Sequence, residues 1–282
     1  MTEFNIDSWP WKCAIILALL GMREFVRLLS PRDAPVESAE TSKWLIETID
    51  SAAIAIGLVL FVIQPFILQA FYIPSGSMED TLRISDRLLV SKLIYRLRDP
   101  AFQDVVVFKA PPAALINTDE KDPDYIKRCM GTPGDVVYVI NQVVYRNGVK
   151  VPESYVKWTD PAPGCGDGQA DDTAPARCSY DMKIYNGQVY SRDYEGPTET
   201  DPWVANDEKV SDAEQNAISA APPGPVPAGY FLMLGDHRSN SNDGHVWGFV
   251  PRDDIVGKAI CVFWPPTRLG LVDEMSFNPR QP

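Results

Sequence analysis

Three polar segments of this sequence carry side chains that could act together in nucleophilic catalysis. Residues 74–78, PSGSM, present Ser77 beside a glycine in a predicted turn that exposes the hydroxyl. Residues 125–135, YIKRCMGTPGD, carry Lys127 in an apolar predicted strand. Residues 235–243, GDHRSNSND, form a dense polar turn after another predicted strand. Taken singly, each segment is typical of an ordinary loop or a solvated strand, but a serine and a lysine together can supply a hydroxyl nucleophile and an amine base.

Such a pair requires a lysine that is neutral near pH 7. The pKa of a free lysine is about 10.4, and burial in an apolar site lowers that pKa because it disfavours the ammonium. A neutral Lys127 amine could take the proton of Ser77 during attack and return it to the leaving amine. This chemistry needs no histidine, and the chain has only two.

An apolar segment lies immediately before the first of these motifs. No charged residue occurs from Ser51 to Met78, and the run AAIAIGLVLFVIQPFILQAFY is long enough to cross a bilayer. It predicts a transmembrane anchor at residues 45–70; the alternative is a buried helix of a soluble protein. The run starts too late and is too long for a cleaved signal peptide.

A shorter apolar stretch lies upstream of this predicted anchor. Cys13 to Met22 has ten residues, too few to span, so it is either an interfacial helix or a degraded first span. Residues 1–44 are accordingly predicted as a cytoplasmic or interfacial N-terminal segment.

The remainder of the chain predicts a mainly β fold. Short β-branched runs, with a hairpin signal at Asn147-Gly148, predict a catalytic β core from residues 71–152 and 225–282. Residues 153–224 are rich in Pro, Gly and Asp and are interpreted as an inserted β/loop extension. The chain has 26 basic and 38 acidic side chains, a net charge of −12, and residues 153–215 alone hold 5 basic and 14 acidic ones.

Composition also indicates which classes of partner and cofactor are not expected. An acidic chain without a basic stripe argues against nucleic-acid binding. Two histidines and no Cys-x-x-Cys make a metal site improbable, and no cofactor is expected. Of the five cysteines, Cys165 and Cys178 stand 13 positions apart in the insertion. A disulfide between them would cross-link a loop that has little hydrophobic core, and it would indicate an oxidising compartment. The alternative is that the two thiols are unrelated.

The three motifs, in this order and behind an anchor, resemble those of the bacterial type I signal peptidases. The matching segments are FYIPSGSM, YIKRCMGTPGD and VPAGYFLMLGDHRSNSND, and the similarity covers roughly residues 60–150 and 225–262. The resemblance implies a membrane-bound serine endopeptidase that removes signal peptides from exported preproteins after Ala-x-Ala. It also implies the bacterial inner membrane as the location, with the catalytic domain on the periplasmic face. The implied partners are signal peptides and membrane lipid, with the export translocon nearby.

The resemblance further implies a role for each matching residue. Ser77 is the nucleophile and Lys127 the general base. The hydroxyl of Ser75 and the N–H of Ser77 form the oxyanion hole, and Ser241 orients the lysine. Two carboxylates and six apolar residues complete the site: Asp236 and Asp243 support the third motif, and Phe71, Ile73, Met78, Leu82, Tyr125 and Ile126 surround the substrate.

Three positions depart from the family pattern. Asp80 stands where proline is common, His245 where arginine is common, and Gln103 where glycine is common. Asp80 puts a charge near the substrate cleft, and a pairing of His245 with Asp243 would depend on pH. The alternative is therefore a catalytically silent paralogue that binds exported chains. An autocleaving regulator with a Ser–Lys pair is disfavoured by the anchor and by the missing basic patch.

Overall fold

The structure is a computed structural model that describes residues 9–29, 36–115, 123–158, 180–193, 202–205 and 208–277. The chain divides into two compact units, residues 1–69 and 70–282. Cys165 and Cys178 lie outside the described residues, so their disulfide stays a prediction.

The N-terminal unit is helical. Helix α1 spans Trp9–Leu29 and helix α2 spans Val36–Leu58, which continues through a π-helical turn, Val59–Ile63, into the short helix α3, Gln64–Phe66. An ion pair of 2.9 Å between Arg23 Nε and Asp50 Oδ1 joins α1 to α2. Among the residues that the structure describes, one helical stretch, Glu40–Phe66, is long and apolar enough to cross a membrane. It overlaps the predicted anchor.

The second unit contains two antiparallel sheets. The first has eight strands in the order β1-β2-β14-β3-β4-β12-β13, with β15 paired to β14. Its strands are β1 Leu68–Tyr72, β2 Arg87–Ser91, β3 Val105–Lys109, β4 Asp124–Gly131, β12 Tyr230–Leu234, β13 Phe249–Pro251, β14 Ile255–Trp264 and β15 Gly270–Leu271. Valine-rich β3 is buried on both faces, as its continuous apolar run requires.

The second sheet has seven strands in the order β11-β10-β9-β8-β5-β6-β7. Its strands are β5 Val137–Ile140, β6 Val143–Arg146, β7 Val149–Lys150, β8 Tyr180–Tyr185, β9 Gln188–Asp193, β10 Val204–Ala205 and β11 Glu208–Lys209. Strands β5–β7 come from the predicted catalytic core and β8–β11 from the predicted insertion. The two segments therefore share one sheet, in which Val139 of β5 pairs with Met182 of β8.

In the described part of this unit, four short α-helices accompany the sheets: α4 Ile94–Leu97, α5 Asp212–Ala220, α6 Gly244–Trp247 and α7 Val272–Phe277. Helix α5 lies in the insertion, where the sequence predicts no helix. The side chain of Ser211 caps it by accepting a hydrogen bond from the Glu214 N–H. The predicted mainly β fold with an N-terminal apolar helix is confirmed.

Candidate active site

Ser77 lies in a tight turn between β1 and β2, here called the Ser77 turn (residues 74–82). The backbone N–H of Leu82 donates to the Met78 carbonyl at 2.8 Å, which closes the turn. The Met78 and Leu82 side chains are fully buried and fix the turn to the core beneath it. Ser77 itself is 8% exposed, so its hydroxyl lies at the base of a cleft.

Lys127 lies in the middle of β4, in a rigid part of the first sheet. It pairs with Val106 of β3 and is only 5% exposed. The Lys127 Nζ atom is 2.6 Å from Ser77 Oγ, which is hydrogen-bond distance. The structure thus brings together two residues that are 50 positions apart in the sequence.

The surroundings of Lys127 lower its pKa and so increase the fraction of neutral amine at pH 7. Burial lowers the pKa of Lys127 to about 8, although the negative charges of Asp243 and Asp236 act in the opposite direction. At neutral pH about a tenth of the lysine is then a free amine, against well under a thousandth for an ordinary lysine. The pair can therefore transfer a proton from Ser77 Oγ to Lys127 Nζ.

The third motif forms a loop after β12 that is buried against the Ser77 turn. The His237 N–H donates to the Ser77 carbonyl at 3.1 Å, and a Cβ added at Gly235 would lie 2.6 Å from that carbonyl oxygen. The same added Cβ would lie 2.2 Å from Ser241 Oγ. Gly235 is thus required because the loop approaches Ser77 too closely for any side chain.

Asp236 holds this loop to β4 and to the Ser77 turn. Its carboxylate accepts from Arg128 Nε at 2.8 Å and from the Thr81 hydroxyl at 2.6 Å. Arg128 is fully buried and also donates to Ser276 Oγ at 3.0 Å. The supporting role of Asp236 stays a prediction, and these contacts are where such a role would act. Arg128, its cationic partner, is not among the predicted site residues, although it adjoins Lys127 in the motif.

Asp243 is fully buried and accepts from the Gly235 N–H at 2.7 Å and from His245 Nδ1 at 2.8 Å, where the imidazole is the donor. Burial by itself raises the pKa of the Asp243 carboxyl, but His245 and these hydrogen bonds hold that pKa below its usual value. The His245 ring stacks on Tyr180 of β8, with ring centres 4.0 Å apart. Asp243 therefore remains an anion.

The predicted oxyanion and orienting residues lie close to this pair. Ser75 Oγ is 3.4 Å from Ser77 Oγ. Ser241 Oγ is buried and lies beside the Asp243 carboxylate, whose pKa it helps to lower. No hydrogen bond from Ser241 to Lys127 is found among the described residues, and the orienting role stays a prediction.

A cavity of about 570 Å³ opens beside the two residues. Of the six predicted substrate-binding residues, it is lined by Tyr125 and Ile126. Phe71 is partly buried against the core cluster that contains Ile73, Met78 and Leu82, so these four side chains belong to the core and do not line the cavity. Six lining residues are not among the predicted site residues: Pro74, Gly76, Pro123, Asp124, Asn240 and Asn242. Both asparagines stand in the third motif and could have been found there.

The described residues contain no cluster of three or more His, Cys, Asp or Glu side chains that could hold a metal ion.

Comparison with known proteins agrees with this geometry. Residues 45–264 match the family described as signal peptidase, peptidase S26. A probable signal peptidase I-2 of Synechocystis is 34% identical over 75% of this chain and 70% of its own length. A signal peptidase I of Leptolyngbya laminosa is 31% identical over 86% and 92%, and one of Aquifex aeolicus is 32% identical over 73% and 80%. The chain belongs to the signal peptidase family, peptidase S26.

Proposed function

We propose that this chain is a membrane-bound serine endopeptidase that cleaves N-terminal signal peptides from exported preproteins, with Ser77 as nucleophile and Lys127 as general base. One observation carries the proposal. The Lys127 amine, buried and with its pKa lowered to about 8, lies 2.6 Å from Ser77 Oγ. A lysine in this setting has little other reason to be buried, because burying an unpaired ammonium is costly.

In the proposed reaction, Ser77 Oγ attacks the carbonyl carbon of the scissile peptide bond while its proton moves to Lys127 Nζ. The tetrahedral intermediate then collapses, and the lysine gives the proton to the departing amine of the mature protein. This leaves an acyl-enzyme on Ser77. Water attacks that ester with Lys127 again as the base, which releases the signal peptide.

The negative charge of the intermediate requires two donors. We assign this role to the backbone N–H of Ser77 and the hydroxyl of Ser75, which lies 3.4 Å from Ser77 Oγ. Donors that are fixed before the reaction stabilise an oxyanion without reorganisation cost. The buried Met78 and Leu82 side chains, which fix the turn, supply that rigidity.

Substrate choice follows from the shape of the cavity. The substrate would bind extended along residues 123–127 of the cavity wall, by main-chain hydrogen bonds of the kind that add a strand to a sheet. Side chains lining the cavity would then accept only small residues, as in Ala-x-Ala. The catalytic unit would stand on the periplasmic side of the inner membrane, anchored by the stretch Glu40–Phe66 and close to lipid and the translocon.

The experiment is cleavage of an Ala-x-Ala preprotein by the full chain in detergent. Wild type should release the mature protein at one bond, and Ser77→Ala and Lys127→Ala should each abolish release. Lys150→Ala, which removes an exposed lysine of β7, is the matched control and should cleave normally. Wild type that binds the preprotein and leaves it intact would contradict the proposal and favour the silent paralogue.

A further inference from the structure

A cluster of three titratable side chains adjoins the Ser77 turn. It consists of Glu79 in the turn, Lys157 at the start of the predicted insertion, and His237 in the third motif. Glu79 Oε2 is 3.7 Å from Lys157 Nζ and 3.8 Å from His237 Nδ1. None of the three residues lines the cavity, and the proposed reaction uses none of them.

Backbone hydrogen bonds connect the segment around Lys157 to the third motif, and the third motif to the Ser77 turn. The segment around Lys157 runs parallel to the third motif: its N–H donates to the Asp236 carbonyl at 2.9 Å, and its carbonyl accepts from the Arg238 N–H at 2.9 Å. The third motif in turn donates from the His237 N–H to the Ser77 carbonyl at 3.1 Å. The start of the insertion thus supports the loop that supports Ser77.

The side chain of Glu79 connects the Ser77 turn to both of these segments. Its backbone N–H donates to the Gly76 carbonyl at 3.0 Å, and its carboxylate lies against Gly76, where an added Cβ would be 3.3 Å from Glu79 Cδ. The carboxylate therefore lies beside the residue that joins Ser75 to Ser77, and it occupies the space that a side chain at Gly76 would need. If this carboxylate moved away, the Gly76 backbone would have room to shift, and the Ser77 nitrogen with it.

We propose that Glu79, held by Lys157 and His237, is a positioning residue that fixes the Ser77 turn in its reactive geometry, so that the start of the insertion takes part in setting the catalytic rate. The inference rests on the proposed role of Ser77. The Glu79 side chain is nearly a third exposed, so solvent alone would let it adopt other rotamers. The cation of Lys157 and the imidazole of His237 select the rotamer that packs against Gly76.

The expected effect lies on kcat. Because the cluster is outside the cavity, substrate binding and KM should change by less than about twofold. A small displacement of the nucleophile or of an oxyanion donor costs rate steeply, so kcat should fall by about tenfold.

The test measures kcat and KM of the full chain in detergent for Glu79→Gln, Lys157→Met and their double variant. Each single variant should lose kcat with KM unchanged, and the double variant should be no slower than the slower single one, because both remove the same link. Lys157→Arg, which keeps the cation and its reach, should retain wild-type kcat. Glu208→Gln and Lys150→Met, at exposed positions of the second sheet, are matched controls for loss of charge.

A second readout separates positioning from general destabilisation. A peptide aldehyde ending in Ala-x-Ala binds by forming a hemiacetal with the nucleophile, so its affinity should fall with kcat in the variants. The affinity of the corresponding unreactive peptide alcohol should not change.

Independent, additive losses in the two single variants would overturn the inference, as would wild-type kcat in both or equal losses of aldehyde and alcohol affinity. The proposed function is tested separately by Ser77→Ala. If Ser77→Ala cleaves normally, the proposed function fails; if it is inactive while Glu79→Gln is fully active, only this inference fails.

Discussion

Replacing Lys127 by methionine should abolish cleavage and at the same time stabilise the fold near neutral pH. Methionine matches the length of the lysine stem and leaves no charge in a site that is 5% exposed. The pKa of Lys127 in the folded protein is about 8, below the ordinary lysine pKa of 10.5 that applies to an unfolded chain. The unfolded state therefore binds more protons between pH 8 and 10.5, and wild-type stability rises with pH through that window.

The magnitude follows from the difference between these two pKa values. At pH 7 the lysine destabilises the folded state by about 3 kcal/mol relative to a group that never ionises. Losing the hydrogen bond between Nζ and Ser77 Oγ costs the variant about 1 kcal/mol. The methionine variant should thus be more stable by about 2 kcal/mol at pH 7, and this advantage should shrink by about 2 kcal/mol by pH 9.5.

Guanidinium unfolding of the full chain in detergent, followed by tryptophan fluorescence, measures this difference at each pH. Taking the difference between variant and wild type cancels the titration of all other groups. Lys150→Met removes an exposed lysine and should show no change in stability difference with pH. A pH-independent difference for Lys127→Met, or a variant less stable than wild type at pH 7, would refute the reasoning that burial lowers the pKa of this lysine.

Four further outcomes are expected. The kcat/KM of the wild type should rise about tenfold per pH unit below pH 8 and level off above it, as a base with that pKa requires; a flat profile down to pH 6 would indicate another base. Gly235→Ala should lower kcat by about a hundredfold, since its Cβ would lie 2.6 Å from the Ser77 carbonyl oxygen. Arg128→Met should destabilise the fold by about 3 kcal/mol or more, measured by chemical unfolding, because it leaves a buried carboxylate unpaired. Non-reducing peptide mapping should find Cys165 linked to Cys178, and two free thiols would contradict the oxidising compartment.

The strands could be predicted from local pattern, and the pairing of Ser77 with Lys127 from the family resemblance that the order of the three motifs carries. The runs at residues 104–108 and 229–234 are short, β-branched or apolar, and bounded by turns, and both form strands of the first sheet. The register in which strands pair could not be predicted from the sequence. The bulge that shifts the pairing of β12 with β4 between Leu232 and Met233 belongs to two strands far apart in the chain.

The predicted substrate-binding set illustrates the same limit. Apolar residues near a nucleophile look alike in sequence whether they face the cavity or the core. Met78 and Leu82 are fully buried because the Ser77 turn needs anchors beneath it. The polar Asn240 and Asn242 line the cavity instead. Only the fold distinguishes the two faces of a turn.

Two opposing effects set the pKa of Lys127, and the partners of the nearby carboxylates influence one of them. Burial lowers this pKa, and the carboxylates of Asp243 and Asp236 oppose that effect. Each carboxylate has a partner of its own, since Arg128 contacts Asp236 and His245 contacts Asp243. If Arg128 were lost, the uncompensated charge of Asp236 near Lys127 would favour the ammonium. The guanidinium that holds the third motif to β4 therefore also offsets a charge that would raise the pKa of the base.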